Sequence, residues 1–120
     1  MKRFRLHELG DIAEGHILKE ILPGAYLSSG GLSFSERGSR SHSYDGPDGS
    51  DYHVHNDCEA FIILQGKGEM EIKSISYPVK TGDVIIVEPG EDHHLISSIA
   101  DPIVTVWCHA AMHRHKNQQQ

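Results

Sequence analysis

Apolar positions along the chain come in short runs, broken by glycine, proline and small polar residues at intervals too close for most helices. Breaks fall at Pro23-Gly24, Gly30-Gly31, residues 38–51, Gly66-Lys67-Gly68, Thr81-Gly82-Asp83 and Pro89-Gly90, combinations that favour turns and loops. The runs between them are 17–22, 25–28, 32–36, 52–55, 59–65, 69–74, 83–87, 94–98 and 103–109. Their length and their content of Val, Ile and Tyr predict strands. One helical turn is expected around residues 6–13. Many short strands with turn signals between them predict an all-β fold, a sandwich or a barrel.

Two runs are apolar at every position, Phe61-Ile62-Ile63-Leu64 and Val84-Ile85-Ile86-Val87. Such strands are expected to be covered on both faces. A second subunit is an economical cover, so a homodimer through outer strand faces is expected, although an N-terminal strand pair would serve as well. The step Gln65-Gly66-Lys67-Gly68 reads as a tight hairpin in which glycine supplies positive φ.

With 120 residues the chain is expected to form a single domain. Residues 1–15 are read as an N-terminal segment, 16–110 as the barrel and 111–120 as a polar, frayed tail. A formal net charge of −6 argues against a nucleic-acid footprint. Lys2, Arg3 and Arg5 make a basic start with no apolar stretch behind it, so neither a secretory signal nor a membrane span is expected. Cys58 and Cys108 are too few for a disulfide framework, and both are read as small packed residues in a cytoplasmic protein.

The chemistry concentrates at His53, His55, Glu59 and His93. Three imidazoles and a carboxylate suit a divalent ion such as Mn, Fe, Ni, Co or Zn. His53 and His55 aim into one pocket only if their segment is a strand, where residues two apart share a face. The same alternation puts His93, Leu95 and Ser97 on one face and His94 on the other, and together with the glycine-to-histidine spacing it selects His93 as the ligand. His113 and His115 repeat the pairing without context, in the polar tail.

These residues resemble the two motifs of the cupin superfamily, in the form of a small single-domain member. His53-x-His55-x3-Glu59-x6-Gly66 is similar to the first motif, with Pro47 where a glycine is usual and Gly46 and Gly49 close by. Gly82-Asp83, Pro89-Gly90 and His93 resemble the second. There Glu88 holds the usual proline position, and Ser97 stands where an asparagine sometimes occurs. The resemblance implies a double-stranded β-helix, a jelly-roll-like barrel, with one divalent metal on His53, His55, Glu59 and His93. It does not imply one reaction, because cupins include dioxygenases, isomerases, decarboxylases, lyases, binders and storage proteins.

Three histidines and one glutamate leave one or two open positions on a five- or six-coordinate ion, unlike a closed structural zinc site. The expected function is therefore a metal-dependent enzyme acting on a small polar or anionic organic molecule, of dioxygenase, isomerase or lyase type. The alternative is a non-catalytic module binding a sugar or organic acid. Phe61 and Ile63, which share the face of Glu59, are expected to wall the pocket with Leu95, Trp107 and Tyr26. Thr105, Trp107 and His109 share one face of the last run and Val104, Val106 and Cys108 the other. The small apolar face suits a core, and the mixed face a pocket mouth or a subunit interface. No acid or base is evident outside the ligand set, and Tyr26, Tyr52 and His109 are candidates on position alone. A proton carrier beside the open metal position would discriminate the two functions. Arg37 and Arg40 are read as solvated, and residues 38–51 as either a lid or a plain connection.

Overall fold

Alternation of side chains along short strands, with one parity buried, builds two antiparallel sheets facing each other. The structure is a computed structural model and describes residues 1–8, 26–41 and 58–111. Its strands are β1 (Lys2–Arg5), β2 (Tyr26–Phe34), β3 (Cys58–Gln65), β4 (Lys67–Ile72), β5 (Ile75–Lys80), β6 (Asp83–Val87), β7 (His93–Ser97) and β8 (Val104–Ala111). The larger sheet has the order β1-β6-β3-β8-β2 and the smaller β5-β4-β7. This is the all-β barrel expected of a cupin. Among the described residues no helix is long and apolar enough to cross a membrane.

The core fills the space between the sheets. Phe61, Ile63, Ile85 and Val87 enter from the larger sheet, and Met70, Ile72, Val79 and Leu95 from the smaller, with Trp107 packed at the edge. Strand β6 is buried at all five positions. Its outward Ile86 packs with Ala60 and Cys108, and Phe4 of β1 closes on them. Both faces of β6 are thus covered from within the chain. On β3 the cover is partial, because Ile62 is half-buried and Leu64 exposed.

Several expectations need correction. Gly30-Gly31 is not a break, since β2 runs unbroken through it and pairs with β8. A Cβ on Gly31 would stand 2.9 Å from Cζ2 of Trp107, so glycine here makes room for a ring rather than a turn. Nor is Gly66 the tip of a hairpin. Its φ of +87° is as expected, but β3 pairs with β6 and β8 whereas β4 pairs with β5 and β7. Gly66 instead turns the chain from one sheet to the other, where a Cβ would overlap the Pro102 carbonyl.

The true hairpin follows β4, turning on Lys73 and Ser74 with φ of 48° and 69°. Its second strand, β5, is absent from the expected runs because Pro78 interrupts the pattern. Proline is tolerated there because β5 is an edge strand that pairs only with β4. The segment 1–15 also contributes, since Lys2–Arg5 form an edge strand on β6. Of the expected helical turn, Leu6–Glu8 form a 3-10 turn, and residues 9–13 lie outside the described residues.

On β8 the expected core face is reversed. Register sets Thr105 opposite Ile63 and Trp107 opposite Phe61, so the mixed face looks inward. Thr105 tolerates burial because its hydroxyl donates to the Ile62 carbonyl at 2.9 Å. Val104 and Val106 face outward and are half-buried. The runs 17–22 and 52–55, and the tail from residue 112, lie outside the described residues.

Candidate functional site

Three strands, two from one sheet and one from the other, bring the polar cluster together at one end of the core. Glu59 is near the start of β3, directly opposite His109 of β8. His93 opens β7 in the other sheet. The His93 Nε2 atom lies 3.1 Å from Glu59 Oε1, and His109 Nε2 lies 3.7 Å from Glu59 Oε2. One carboxylate thus faces two imidazoles, one on each oxygen. Glu59 is 4% exposed and His93 fully buried, a setting in which charge must be shared to be tolerated. Phe61 meets the His93 ring edge-on with centroids 6.0 Å apart, and Trp107 does the same for His109 at 6.0 Å.

His93 Nδ1–H donates to the Glu91 carbonyl at 2.9 Å. That bond fixes the ring orientation and turns Nε2 toward the carboxylate, which is how a metal-ligating histidine is usually held. Burial by itself pushes the His93 pKa down. The hydrogen bonds to Glu59 and to the Glu91 carbonyl, with the charges of Glu59 and Asp92, outweigh it, and the pKa lies above the ordinary histidine value. A cation fits between these two groups on chemical grounds.

His94 points the other way. Its Nδ1 lies 2.8 Å from the Ser41 carbonyl and its Nε2 3.2 Å from Asp92 Oδ1. With the Ser41 hydroxyl accepting from Leu95 N at 2.7 Å, these bonds fasten residues 39–41 along β7. Arg40 pairs with Glu71 at 2.8 Å and is not the solvated side chain expected. Cys58 donates to Glu88 Oε2 at 3.6 Å. Burial, and the Glu59 charge beyond it, push the Cys108 thiol up despite a backbone hydrogen bond to Ala60, so it is the less reactive thiol form that is favoured.

Of the expected site residues, Glu59 and His93 come together. Phe61, Ile63 and Leu95 are buried in the core beneath them. Trp107 is half-buried at its edge, and Tyr26 is described only through its backbone, opposite Ala111. His53, His55, Tyr52 and residues 42–51 lie outside the described residues. Among the described residues no group of three His, Cys, Asp or Glu is arranged to hold a metal ion. Glu59 and His93 offer two donors, and the two other expected ligands are outside that set. His109 is the residue that sequence reasoning placed only loosely. Its contact with Glu59 follows from a strand pairing that no local pattern reveals.

A cleft of about 520 Å³, lined by Arg5, Lys67, Glu69, Pro78, Lys80 and Ile96 among others, lies at the far end of the smaller sheet. It contains neither Glu59 nor His93. Size alone would favour it, but the buried carboxylate and imidazoles mark the other end as the chemical one.

Two facing antiparallel sheets with a histidine–carboxylate cluster at one end of their shared core define a small β-barrel. The chain belongs to the cupin family, whose domain model matches residues 42–109. A cupin protein from Bacteroides fragilis (BF4112) is similar over 94% of this chain and 93% of its own, with 16% identity and a TM-score of 0.60. The plu4264 protein of Photorhabdus luminescens is 26% identical with a TM-score of 0.50, covering 73% of this chain and 69% of that one. A predicted oxalate decarboxylase from Thermotoga maritima is 24% identical with a TM-score of 0.51, covering 68% and 65%. No curated protein matches the chain.

Proposed function

We propose that this cupin binds one divalent metal ion through Glu59 and His93, with His53 and His55 completing the ligand set, and is a metal-dependent enzyme acting on a small polar or anionic organic molecule. The observation that carries the reading is the buried Glu59–His93 contact of 3.1 Å, with the histidine's other nitrogen held by a carbonyl at 2.9 Å. A bound ion would act as Lewis acid or oxygen-binding centre. Catalysis is favoured over mere binding by His109, an imidazole outside the ligand set that lies 3.7 Å from Glu59 with its side chain 20% exposed. The apolar walls Phe61, Leu95 and Trp107 favour the second reading, a binding module whose metal orders the pocket without turnover.

Metal content by inductively coupled plasma mass spectrometry tests the assignment, on protein as purified and after reloading with Mn, Fe, Ni, Co or Zn. Near-stoichiometric metal is expected, lost in Glu59→Ala and in the His53→Ala/His93→Ala double variant but kept in His109→Ala. Iron would direct attention to oxygen chemistry, and zinc or manganese to isomerisation or hydrolysis. A folded wild-type protein that takes up none of these ions overturns the proposal.

A further inference from the structure

The outer face of the smaller sheet sets two lysines directly against each other. Lys67 of β4 faces Lys80 of β5 in register, and both side chains are exposed. Like charges opposite one another on an antiparallel pair are unfavourable. Among the described residues neither ammonium has an ion-pair partner to relieve this. Both backbones are fixed. The Lys67 N–H donates to the Asp101 carbonyl at 3.0 Å, and its carbonyl accepts from Ser98 N at 3.0 Å. The Lys80 N–H donates to Asp83 Oδ2 at 2.9 Å. The next row on this face is Pro78, Glu69 and Ile96. Strand β1 of the larger sheet closes one side, where Arg3 donates to the Pro78 carbonyl at 2.6 Å and Arg5 stands 3.3 Å from the buried Asp83. The cleft they border has a volume of about 520 Å³, within the roughly 300–1,000 Å³ typical of small-molecule sites.

We propose that this cleft binds an organic phosphate, a phosphomonoester carried on an apolar body. The phosphate sits between the Lys67 and Lys80 ammoniums, and the body lies along Pro78 and Ile96. Charge selects the ligand. Arg5, Lys67 and Lys80 make the cleft cationic in a chain of net charge −6, so it is a local exception that attracts anions. Arg5 is already shared with Asp83, which leaves two ammoniums that a dianion matches and a carboxylate does not. Lysine serves phosphate as a point charge, without the bidentate fork that arginine offers a carboxylate. Glu69 sets the orientation. It lies on the same face as Lys67, two residues or about 7 Å along the strand, and keeps anionic groups away from the Pro78–Ile96 end. Glu59 and His93 are not in this lining, so the inference stands independently of any metal in the barrel.

Isothermal titration calorimetry on the whole 120-residue chain tests this, with phenyl phosphate as ligand and inorganic phosphate and benzoate beside it. The protein is treated with a chelator first, because a metal would itself bind phosphate. Phenyl phosphate is expected to bind with a Kd on the order of 1 mM. Inorganic phosphate and benzoate should bind about 5-fold more weakly or worse, for want of the apolar body and of the second charge respectively. Lys67→Gln and Lys80→Gln should each weaken phenyl phosphate about 10-fold, as for a lost charge-assisted hydrogen bond. Lys73→Gln, at an exposed lysine of the β4–β5 turn, should leave it unchanged. Amide NMR shifts on titration should move at residues 67–69, 78–80 and 96–98 and not at Glu59 or His93. Circular dichroism checks that each variant folds, and the exposed positions are chosen so that it does. Absence of binding, binding kept in both folded lysine variants, or shifts confined to Glu59 and His93 overturns the proposal. Equal affinity for inorganic phosphate or for benzoate also overturns it, the first by dispensing with the apolar body and the second with the dianion.

Discussion

The two faces of the five-stranded sheet are drawn from the same strands, one residue apart, yet they behave as opposites. The inner face sets Phe61, Ile63, Ile85 and Val87 into the core and ends in the polar pair Glu59 and His109. The outer face is apolar throughout the rows of Leu32, Val106 and Ile62 and of Phe34, Val104 and Leu64, and part of it is exposed. Hydrophobicity alone therefore does not say which face is inside. Polar groups buried at the end of an apolar face are the informative ones, because burying them is costly without a reason.

The largest effect expected from breaking this comparison is at the inner face. Ile85→Ala, at a fully buried position, should lower unfolding free energy by about 2–5 kcal/mol, from lost burial plus the cavity left behind. Leu32→Ala on the outer face, measured at a dilution where any dimer has dissociated, should change it by no more than about 0.5 kcal/mol. Urea unfolding of the two variants side by side would decide. Equal losses would mean that Leu32 is packed within the monomer.

Next comes the polar end of the inner face. His93 has its pKa raised in the folded protein, through Glu59 and the Glu91 carbonyl against the opposing pull of burial. In protein stripped with a chelator, its charged form therefore contributes stability that is full below the ordinary histidine pKa of about 6.5 and is lost as pH rises through the raised value. Metal binding demands the deprotonated imidazole, so its stabilisation should grow over that same range. Thermal melts at several pH values should show the stripped wild type losing stability upward from about 6.5 and the metal-loaded protein gaining relative to it. In Glu59→Gln the carboxylate is gone, and both trends should shrink. Parallel curves for the stripped and loaded protein would contradict the ligand role of His93.

Much of this arrangement is legible in the chain, though unevenly. Strand β6 has the bounds of the expected run 83–87, and His93 rather than His94 faces Glu59, as alternation and the glycine-to-histidine spacing together predict. Alternation yields parity, however, and not which parity faces inward. On β8 Val104 and Val106 look like a core and face outward, because pairing with β3 decides the matter. The proximity of His109 to Glu59 is likewise a product of register between distant segments. Local signals misled where one residue type serves two purposes, with Gly31 clearing space for Trp107 rather than turning, and Pro78 sitting in an edge strand rather than ending one.

Gly31 offers a sharper probe of the inner face, because Trp107 is the only tryptophan in the chain. In Gly31→Ala the new Cβ would lie 2.9 Å from the indole, so the ring must shift. A loss of about 1–3 kcal/mol is expected, as for other overpacked sites. A moved fluorescence maximum should accompany it, since the indole sits between the core and His109. An unchanged spectrum together with unchanged stability would place the ring elsewhere.

The smallest effect belongs to the other sheet, and it separates backbone strain from either face of the larger one. Lys73 and Ser74 turn the β4–β5 hairpin with φ of 48° and 69°, the left-handed region where a side chain on Cβ is strained. Two-residue hairpin turns with both φ positive favour Asn-Gly. Neither side chain is buried, so replacing the pair removes strain without disturbing packing. The double variant Lys73→Asn/Ser74→Gly should gain roughly 0.5–1 kcal/mol in urea unfolding, the relief of left-handed strain partly offset by the greater chain entropy of glycine. Metal content should not move with it, because the turn's link to the site, the Lys73 N–H donating to the Asp92 carbonyl at 2.9 Å, is a backbone bond that the substitution keeps. A loss of stability would mean that the native turn is held by contacts that its exposed side chains make, and the strain argument would fail.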